Sequence, residues 1–399
     1  MGDIREAIET VNIISDQKEH YFFGYYDLQP YDSKDEKHLC HKVKFIDRLP
    51  TIEDVCELGY IEIATGEFVK LAETTAWNFQ QGALLQWYQD DEHIAYNIRT
   101  EEGFGTAIQN IVTGERRVLP MAAANISKDG KYGLCVNMSR IYDFRPGYGY
   151  ATIPDPFYNE NHSKDDRIYL VDMETGKAKM IISMQDIWDF SGSFYGGIDK
   201  KMVINHITFN PSASRFLFLL RNFPEPGKKW GTILVTADRD SGNVRNLTNY
   251  EVNSHYHWKD DQTIMIWSAL PAPGVYLIDD ATGKRQLLEN ETVNKDDIHC
   301  LYSPDRSCFI GDGYWDKDSF RSIYLYDFET QISRRILKIY SERDIVTDIR
   351  CDLHNRFSPD GTLVSFDSWH NGRREILYFP FDKKTLLEST QPLYTDILG

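Results

Sequence analysis

The sequence predicts an all-β fold: a seven-bladed β-propeller of four-stranded antiparallel blades, its ring closed by an N-terminal strand. Two observations carry this expectation. First, one turn phrase recurs along the 399 residues, in which a polar turn leads into an apolar strand. Its clearest copies are "FNPSASRFLFLL" at 209–220, "YSPDRSCFIG" at 302–311 and "FSPDGTLVSF" at 357–366. Weaker copies are "WYQDDEHIAY" at 87–96, "ISKDGKYGLC" at 126–135 and "WKDDQTIMIW" at 258–267, and "LQPYDSKDEKHLC" at 28–40 is the most divergent of the seven. Second, six of the copies are followed by a period-two strand that runs into a tight turn: "GYIEIATGEF", "AIQNIVTGER", "RIYLVDMETGK", "TILVTADRDSGN", "GVYLIDDATGK" and "SIYLYDFETQI". Alternation at period two marks strands, and such turns join neighbours into hairpins. Repeats of about 40 residues with four short strands each are the signature of propeller blades.

In chain order, the blades are expected at approximately 22–75, 77–120, 121–184, 200–248, 250–290, 296–340 and 345–388, forming one domain over residues 1–399. The last unit offers only three strands, at 346–357, 363–368 and 375–381. Its fourth is expected from "TVNIIS" at residues 10–15, which would join the two ends of the chain in one sheet. A β-sandwich or a pair of β domains gives no reason for so regular a period.

Bulk properties narrow the function. With 61 Asp and Glu against 44 Lys and Arg, the net charge of −17 argues against broad nucleic-acid binding and against anionic membrane surfaces. The 24 Tyr, 21 Phe and 8 Trp suit strands and carbohydrate-binding surfaces alike. The six cysteines, at 40, 56, 135, 300, 308 and 351, include no CxxC pair, and all are read as reduced thiols. The first twenty residues lack a basic start followed by an apolar run, so a cytoplasmic protein is expected. No GxSxG elbow, phosphate-binding GxxxxGK[ST] loop or HExxH helix occurs.

The candidate site comes from aligning the repeats on the residue that opens the turn. Three positions before it stand His206, His255, His299 and His354, in blades four to seven. Blades one, two and three carry Tyr25, Leu84 and Ala123 there. Four of 11 histidines thus share one register position in consecutive blades, where chance placement is a poor explanation. Two residues earlier, on the same strand face, are Asn253, Asp297 and Asp352. Imidazoles and carboxylates that converge in this way suit a divalent transition metal. The expected ligands are His255, His299, Asp352 and His354. His257, two residues beyond His255 on the same face, is given a supporting role because it lies outside the shared position.

Loops expected on the same side add aromatic and cationic groups. Blade three contributes Arg140, Arg145, Tyr148 and Tyr150 from "NMSRIYDFRPGYGYATIPDPFY", and blade four contributes Arg221. Trp267, Trp315 and Trp369 come from blades five, six and seven, Tyr25 and Tyr26 from the entry to blade one, and Trp77, Gln80 and Gln81 from the entry to blade two. Aromatic faces stack on sugar rings, and arginine pairs with carboxylates through two hydrogen bonds. An acidic oligosaccharide or polysaccharide is therefore the expected partner.

The strand-one histidines in "NHITFNPS", "SHYHW" and "LHNRFSPDG", set in seven blades, resemble the oligogalacturonate lyases and related seven-bladed polysaccharide lyases. That resemblance covers most of the chain and implies β-elimination on uronate-containing glycans. It also implies a divalent metal, manganese first and zinc or calcium as alternatives, held in that family by three histidines and a glutamine. Position matching puts the blade-five ligand at His255 or His257 and a blade-seven ligand at His354. A second blade-seven ligand falls near Asp352, a carboxylate in place of imidazole, and the family's glutamine has no counterpart here. The pattern is closer to a separate bacterial branch of the group than to the pectin enzymes. Under the resemblance, His206 or Tyr148 is the expected base and Arg140, Arg145 and Arg221 are the carboxylate clamps. Tyr25, Tyr26, Trp77, Gln80, Gln81, Tyr150, Trp267, Trp315 and Trp369 are the expected sugar contacts. A metal-assisted glycoside hydrolase using Asp297, Asp312 and Asp352 is one alternative, and a non-catalytic glycan- or protein-binding propeller is another.

Overall fold

A computed structural model describes residues 11–16, 18–151, 153–343, 347–370, 372–389 and 393–395. Seven four-stranded antiparallel units follow one another along the chain, as a seven-bladed β-propeller. Blade one is His20–Phe22, Lys37–Val43, Cys56–Glu62 and Phe68–Thr74. Blade two is Gln86–Tyr88, Asp90–Arg99, Phe104–Asn110 and Arg116–Leu119. Blade three is Ala123–Ile126, Tyr132–Cys135, Arg167–Asp172 and Ala178–Ser183. Blade four is Met202–Phe209, Arg215–Asn222, Thr232–Asp238 and Arg245–Asn246. Blade five is Asn253–Trp258, Thr263–Ser268, Gly274–Asp279 and Arg285–Leu287. Blade six is His299–Tyr302, Cys308–Asp312, Phe320–Asp327 and Ser333–Tyr340, and Leu393–Thr395 adds a parallel fifth strand to it.

Blade seven has Arg356–Phe357, Leu363–Ser368 and Glu375–Pro380, and Asn12–Ile13 completes it as the fourth strand. Asn12 pairs with Tyr378 and Ile13 with Leu377, so the N-terminal segment closes the last sheet as its sequence led us to expect. The expected start of that strand, Thr10, lies outside the described residues, as does Val346 in the expected first strand of blade seven. That first strand is much shorter than 346–357. Thr347–Ile349 instead forms a 3-10 turn, and the carbonyls of Ile349 and Arg350 are taken by the Arg374 guanidinium rather than by a neighbouring strand.

By packing, the chain divides into two compact units, residues 95–287 and residues 1–94 with 288–399. In each, the core lies between adjacent blades. The strand "RFLFLLRN" shows why: its period of two sends Phe216, Phe218 and Leu220 into the core shared with blade three. The alternate residues Leu217 and Leu219 enter the core shared with blade five. Each such side chain contributes roughly 1.5–3 kcal/mol on burial. Blades six and seven are joined in the same way by Ile310, Ile323, Leu353, Phe357 and Phe366.

Several of the polar turns that define the repeat place one residue in the left-handed region. Gly130 and Gly361 fill the left-handed position of the polar turn at φ +70° and +76°, where glycine carries no steric cost. Ala213 and Arg306 occupy the equivalent place at φ 53° and 61°. No helix among the described residues is long and apolar enough to cross a membrane.

The entry to blade two locks onto blade one through a neutral histidine. His41 Nε2 accepts the Ala83 N–H at 2.9 Å, and burial pushes the His41 pKa down to about 3. The unfolded chain takes up a proton near pH 6.5, which the folded chain refuses until about pH 3, so this contribution to stability is lost as pH falls below about 6.5. Comparing wild type with His41→Gln by urea unfolding at pH 7 and pH 5 isolates this group. The wild type is expected to lose about 2 kcal/mol more across that interval; equal losses would contradict a neutral His41.

Candidate metal centre

The shared histidine position is a backbone irregularity rather than a regular strand residue. In blade four the ladder skips between Asn205 and Ile207, and His206 has φ 57°. Blade five skips between Asn253 and Tyr256, around His255, and blade three skips between Ala123 and Asn125. Leu84 and His354 hold the position in blades two and seven at φ 53° and 44°. A bulge re-aims the side chain and ends the local pairing. Blade six alone of these is regular there, with His299 paired directly to Asp312.

In the unit formed by residues 1–94 and 288–399, His299, Asp352 and His354 converge. One potential ligand atom from each lies within 4.8 Å of the other two, and all three side chains are buried. The two imidazoles meet edge to face with ring centroids 4.5 Å apart. Tyr25 and Tyr26 pack against them, Tyr25 5.0 Å from the His354 ring and Tyr26 5.3 Å from the His299 ring.

His354 is oriented as a ligand should be. Its Nδ1 donates to the Gly24 carbonyl at 2.7 Å, which fixes the tautomer and leaves the Nε2 lone pair unprotonated. Burial, and then the neighbouring His299, hold the His354 pKa well below the ordinary imidazole value. Nε2 has no hydrogen-bond partner, and Asp352 Oδ2, 4.0 Å away, accepts no hydrogen bond either. A buried imidazole nitrogen with no hydrogen-bond partner, facing a carboxylate oxygen, fits a cation between them.

Two arginines surround the carboxylate. Arg321 NH2 lies 2.7 Å from Asp352 Oδ1 and 3.8 Å from Asp312 Oδ2. The rest of its guanidinium is anchored, NH1 to the Cys351 carbonyl at 2.7 Å and Nε to the Gly313 carbonyl at 3.1 Å. Arg350 Nε donates to Asp352 Oδ1 at 3.1 Å, and its NH2 lies 2.7 Å from Oδ2. Burial alone would raise the Asp352 pKa, but Arg350 and then Arg321 overcome it and hold the group well below the usual carboxylate range. Asp312 completes the network, 3.1 Å from His299 Nδ1 and accepting the Leu353 N–H at 3.1 Å.

The other anticipated residues have varied surroundings. His255 is buried in blade five of the 95–287 unit, and His257 is half-buried on the same strand. Asn253 donates to the Thr232 carbonyl and to Thr248 Oγ1, which ties blades four and five together. Asp297 is half-buried just before the first strand of blade six. His206 is half-buried and meets the Tyr148 ring edge to face at 5.2 Å. Arg145 stacks over Tyr148 at 4.8 Å. Arg140, on the helix Met138–Phe144, pairs with Asp155 at 2.9 Å and donates to the carbonyls of Phe157, Glu160, Asn161 and Met202. Its guanidinium therefore fastens the long blade-three loop. Arg221 donates to Asn205 Oδ1 at 2.6 Å and to Thr232 Oγ1 at 3.2 Å.

Among the aromatics and amides, Trp77 packs on Phe79 and donates its indole N–H to the Asp54 carbonyl. Tyr150 accepts from Asn97 and packs on Phe104. Gln80 Nε2 donates to the Arg350 carbonyl at 2.8 Å, so it positions the site's own arginine, while Gln81 is half-buried. Trp315 donates to the Ser341 carbonyl and stacks on the Arg321 guanidinium at 4.7 Å. Trp267 and Trp369 are half-buried. Arg321 and Arg350 were missed at the sequence level. Arg350, Asp352 and His354 share one period of two, so the alternation that selected Asp352 also marked Arg350.

No protein-family model matches the sequence, and no curated protein does. Solved structures do match. An oligogalacturonate lyase from Vibrio parahaemolyticus superposes with a TM-score of 0.66 at 15% identity, over 94% of each chain. The chain has the fold of the oligogalacturonate lyases. An oligogalacturonate lyase solved in complex with manganese gives the same TM-score and identity, over 94% of this chain and 93% of that one. The architecture is shared beyond lyases: a prolyl endopeptidase matches with a TM-score of 0.52 at 8% identity, over 92% of this chain and 47% of that one.

Proposed function

We propose that this chain is a lyase-like propeller that cleaves uronate-containing glycans by metal-assisted β-elimination. The reading is carried by the buried His354 Nε2, which has no hydrogen-bond partner and faces Asp352 Oδ2 at 4.0 Å beside His299, in a chain with the oligogalacturonate lyase fold. His299, Asp352 and His354 would hold the ion, and manganese is favoured because one structural neighbour was solved with it. Bound there, a divalent cation supplies positive charge that offsets the substrate carboxylate and eases loss of the adjacent C5 proton.

The protein groups have distinct parts in this reading. Arg350 presents a guanidinium to the uronate carboxylate. Arg321, hydrogen-bonded through Nε and NH1 and ion-paired through NH2, keeps Asp352 in place. Tyr25 and Tyr26 wall the imidazoles on one side. In the elimination a general base takes the C5 proton, the C5–H electron pair forms the C4–C5 double bond, and the C4–O bond breaks as the leaving oxygen takes up a proton. Hydrolysis by two carboxylates is less well supported, because Asp312 and Asp352 are both fully buried against Arg321 rather than set apart as acid and base.

A second reading has one observation in its favour: Asp352 is already balanced by two guanidiniums, so a glycan-binding propeller without metal is electrostatically complete. Incubation with a panel of polyuronates and Mn²⁺ separates these. The lyase reading predicts rising ultraviolet absorbance from the conjugated unsaturated product. Saturated fragments would indicate a hydrolase, and no cleavage across a broad panel would contradict catalysis.

A further inference from the structure

We propose that Arg350 and a divalent cation compete for a single atom, Asp352 Oδ2, so that an acidic ligand drawing Arg350 away tightens metal binding. This inference rests on the metal-assisted reading above and adds to it a coupling between the two ligands.

The geometry divides the carboxylate between its two arginines. Oδ1 is held by Arg321 at 2.7 Å and by Arg350 Nε at 3.1 Å. Oδ2 faces His354 Nε2 at 4.0 Å and has Arg350 NH2 against it at 2.7 Å. That last contact is an ion pair without an aligned hydrogen bond, since Oδ2 accepts none. The oxygen that a metal would share with His354 is thus the one beside Arg350. A dication and a guanidinium crowding one oxygen repel each other, so each lowers the other's affinity for it.

The two arginines differ in exposure to solvent. Arg321 is fully buried and fixed by the carbonyls of Cys351 and Gly313. It keeps Asp352 oriented through Oδ1 whatever happens at Oδ2. Arg350 has 6% of its side chain exposed and His354 has 3%, whereas the side chains of Asp352, Asp312, Arg321 and His299 have none. A ligand arriving from solvent therefore meets Arg350 and His354 first. A uronate carboxylate offers Arg350 the same two-oxygen partner that Asp352 does. Exchange of one carboxylate for the other leaves the arginine paired and Oδ2 open to the metal. By thermodynamic reciprocity, metal bound at Oδ2 favours the uronate by the same factor.

The test is calorimetric titration of the full chain with Mn²⁺, with and without saturating D-galacturonate as the acidic probe. The wild type is expected to bind Mn²⁺ at least about tenfold more tightly with galacturonate present. Arg350→Gln is expected to bind Mn²⁺ about tenfold more tightly than wild type without galacturonate, and to gain nothing further when it is added. The wild-type arm needs no variant to fold, and Arg350→Lys, which keeps the charge without the two-pronged geometry, should fall between. Mn²⁺ affinity in the wild type that ignores galacturonate, or that weakens in Arg350→Gln, would overturn the coupling while leaving the metal reading standing. Absence of Mn²⁺ binding under every condition would overturn both.

Discussion

Asp352→Ala is expected to destabilise the fold by about 3–5 kcal/mol, the cost of leaving buried charge without its partner. The carboxylate is fully buried and faces two guanidiniums, Arg321 and Arg350, at 2.7 Å each. Removing it leaves Arg321 with the more distant Asp312 carboxylate, 3.8 Å away, to offset its charge. Urea unfolding at neutral pH measures the effect as a shift in midpoint at unchanged slope. A loss below about 1 kcal/mol would mean that water or relaxation solvates the arginines. The pH dependence has a definite sign. Because the folded pKa of Asp352 is depressed, its contribution is present above the unfolded carboxylate value near 4 and is lost as pH falls through the acid range below it.

His354→Ala is expected to separate metal binding from folding. It removes the Nε2 that has no hydrogen-bond partner and should weaken Mn²⁺ binding by more than about 100-fold, with the proposed lyase activity falling alongside. Its structural cost should be smaller than that of Asp352→Ala. The Gly24 carbonyl that accepts His354 Nδ1 also accepts Arg356 NH2 at 2.7 Å, so it keeps a donor. Calorimetric Mn²⁺ titration beside urea unfolding checks both halves. Unchanged Mn²⁺ affinity in a folded variant would remove His354 from the site.

Much of the fold was legible because the relevant signals are local. The turn phrase and the period-two strands lie within a few residues of one another, and "FLFLL" encodes two inter-blade cores in five positions. The closing strand was legible from a count, since the last repeat lacked one strand and the N-terminus offered it. The histidine position was legible as a register position but not as a bulge. The positive φ of His206 goes with a register shift between paired strands, which one strand's pattern does not reveal.

The polar surroundings were least legible. Arg321 reaches Asp352 from the third strand of blade six, a contact between distant parts of the chain. Gln80 and Arg140 looked like ligands for a sugar because an isolated polar side chain carries no record of its partners. Their donors go to backbone carbonyls instead, including the carbonyl of Arg350.

The central claim is that His299, Asp352 and His354 form a metal centre. An anomalous difference map from crystals grown with Mn²⁺ and a uronate tests it most directly. One strong peak is expected, bounded by His354 Nε2, Asp352 Oδ2 and His299, with Arg350 turned from Oδ2 toward the sugar. A map without a peak there, with Arg350 still against Oδ2, would contradict it.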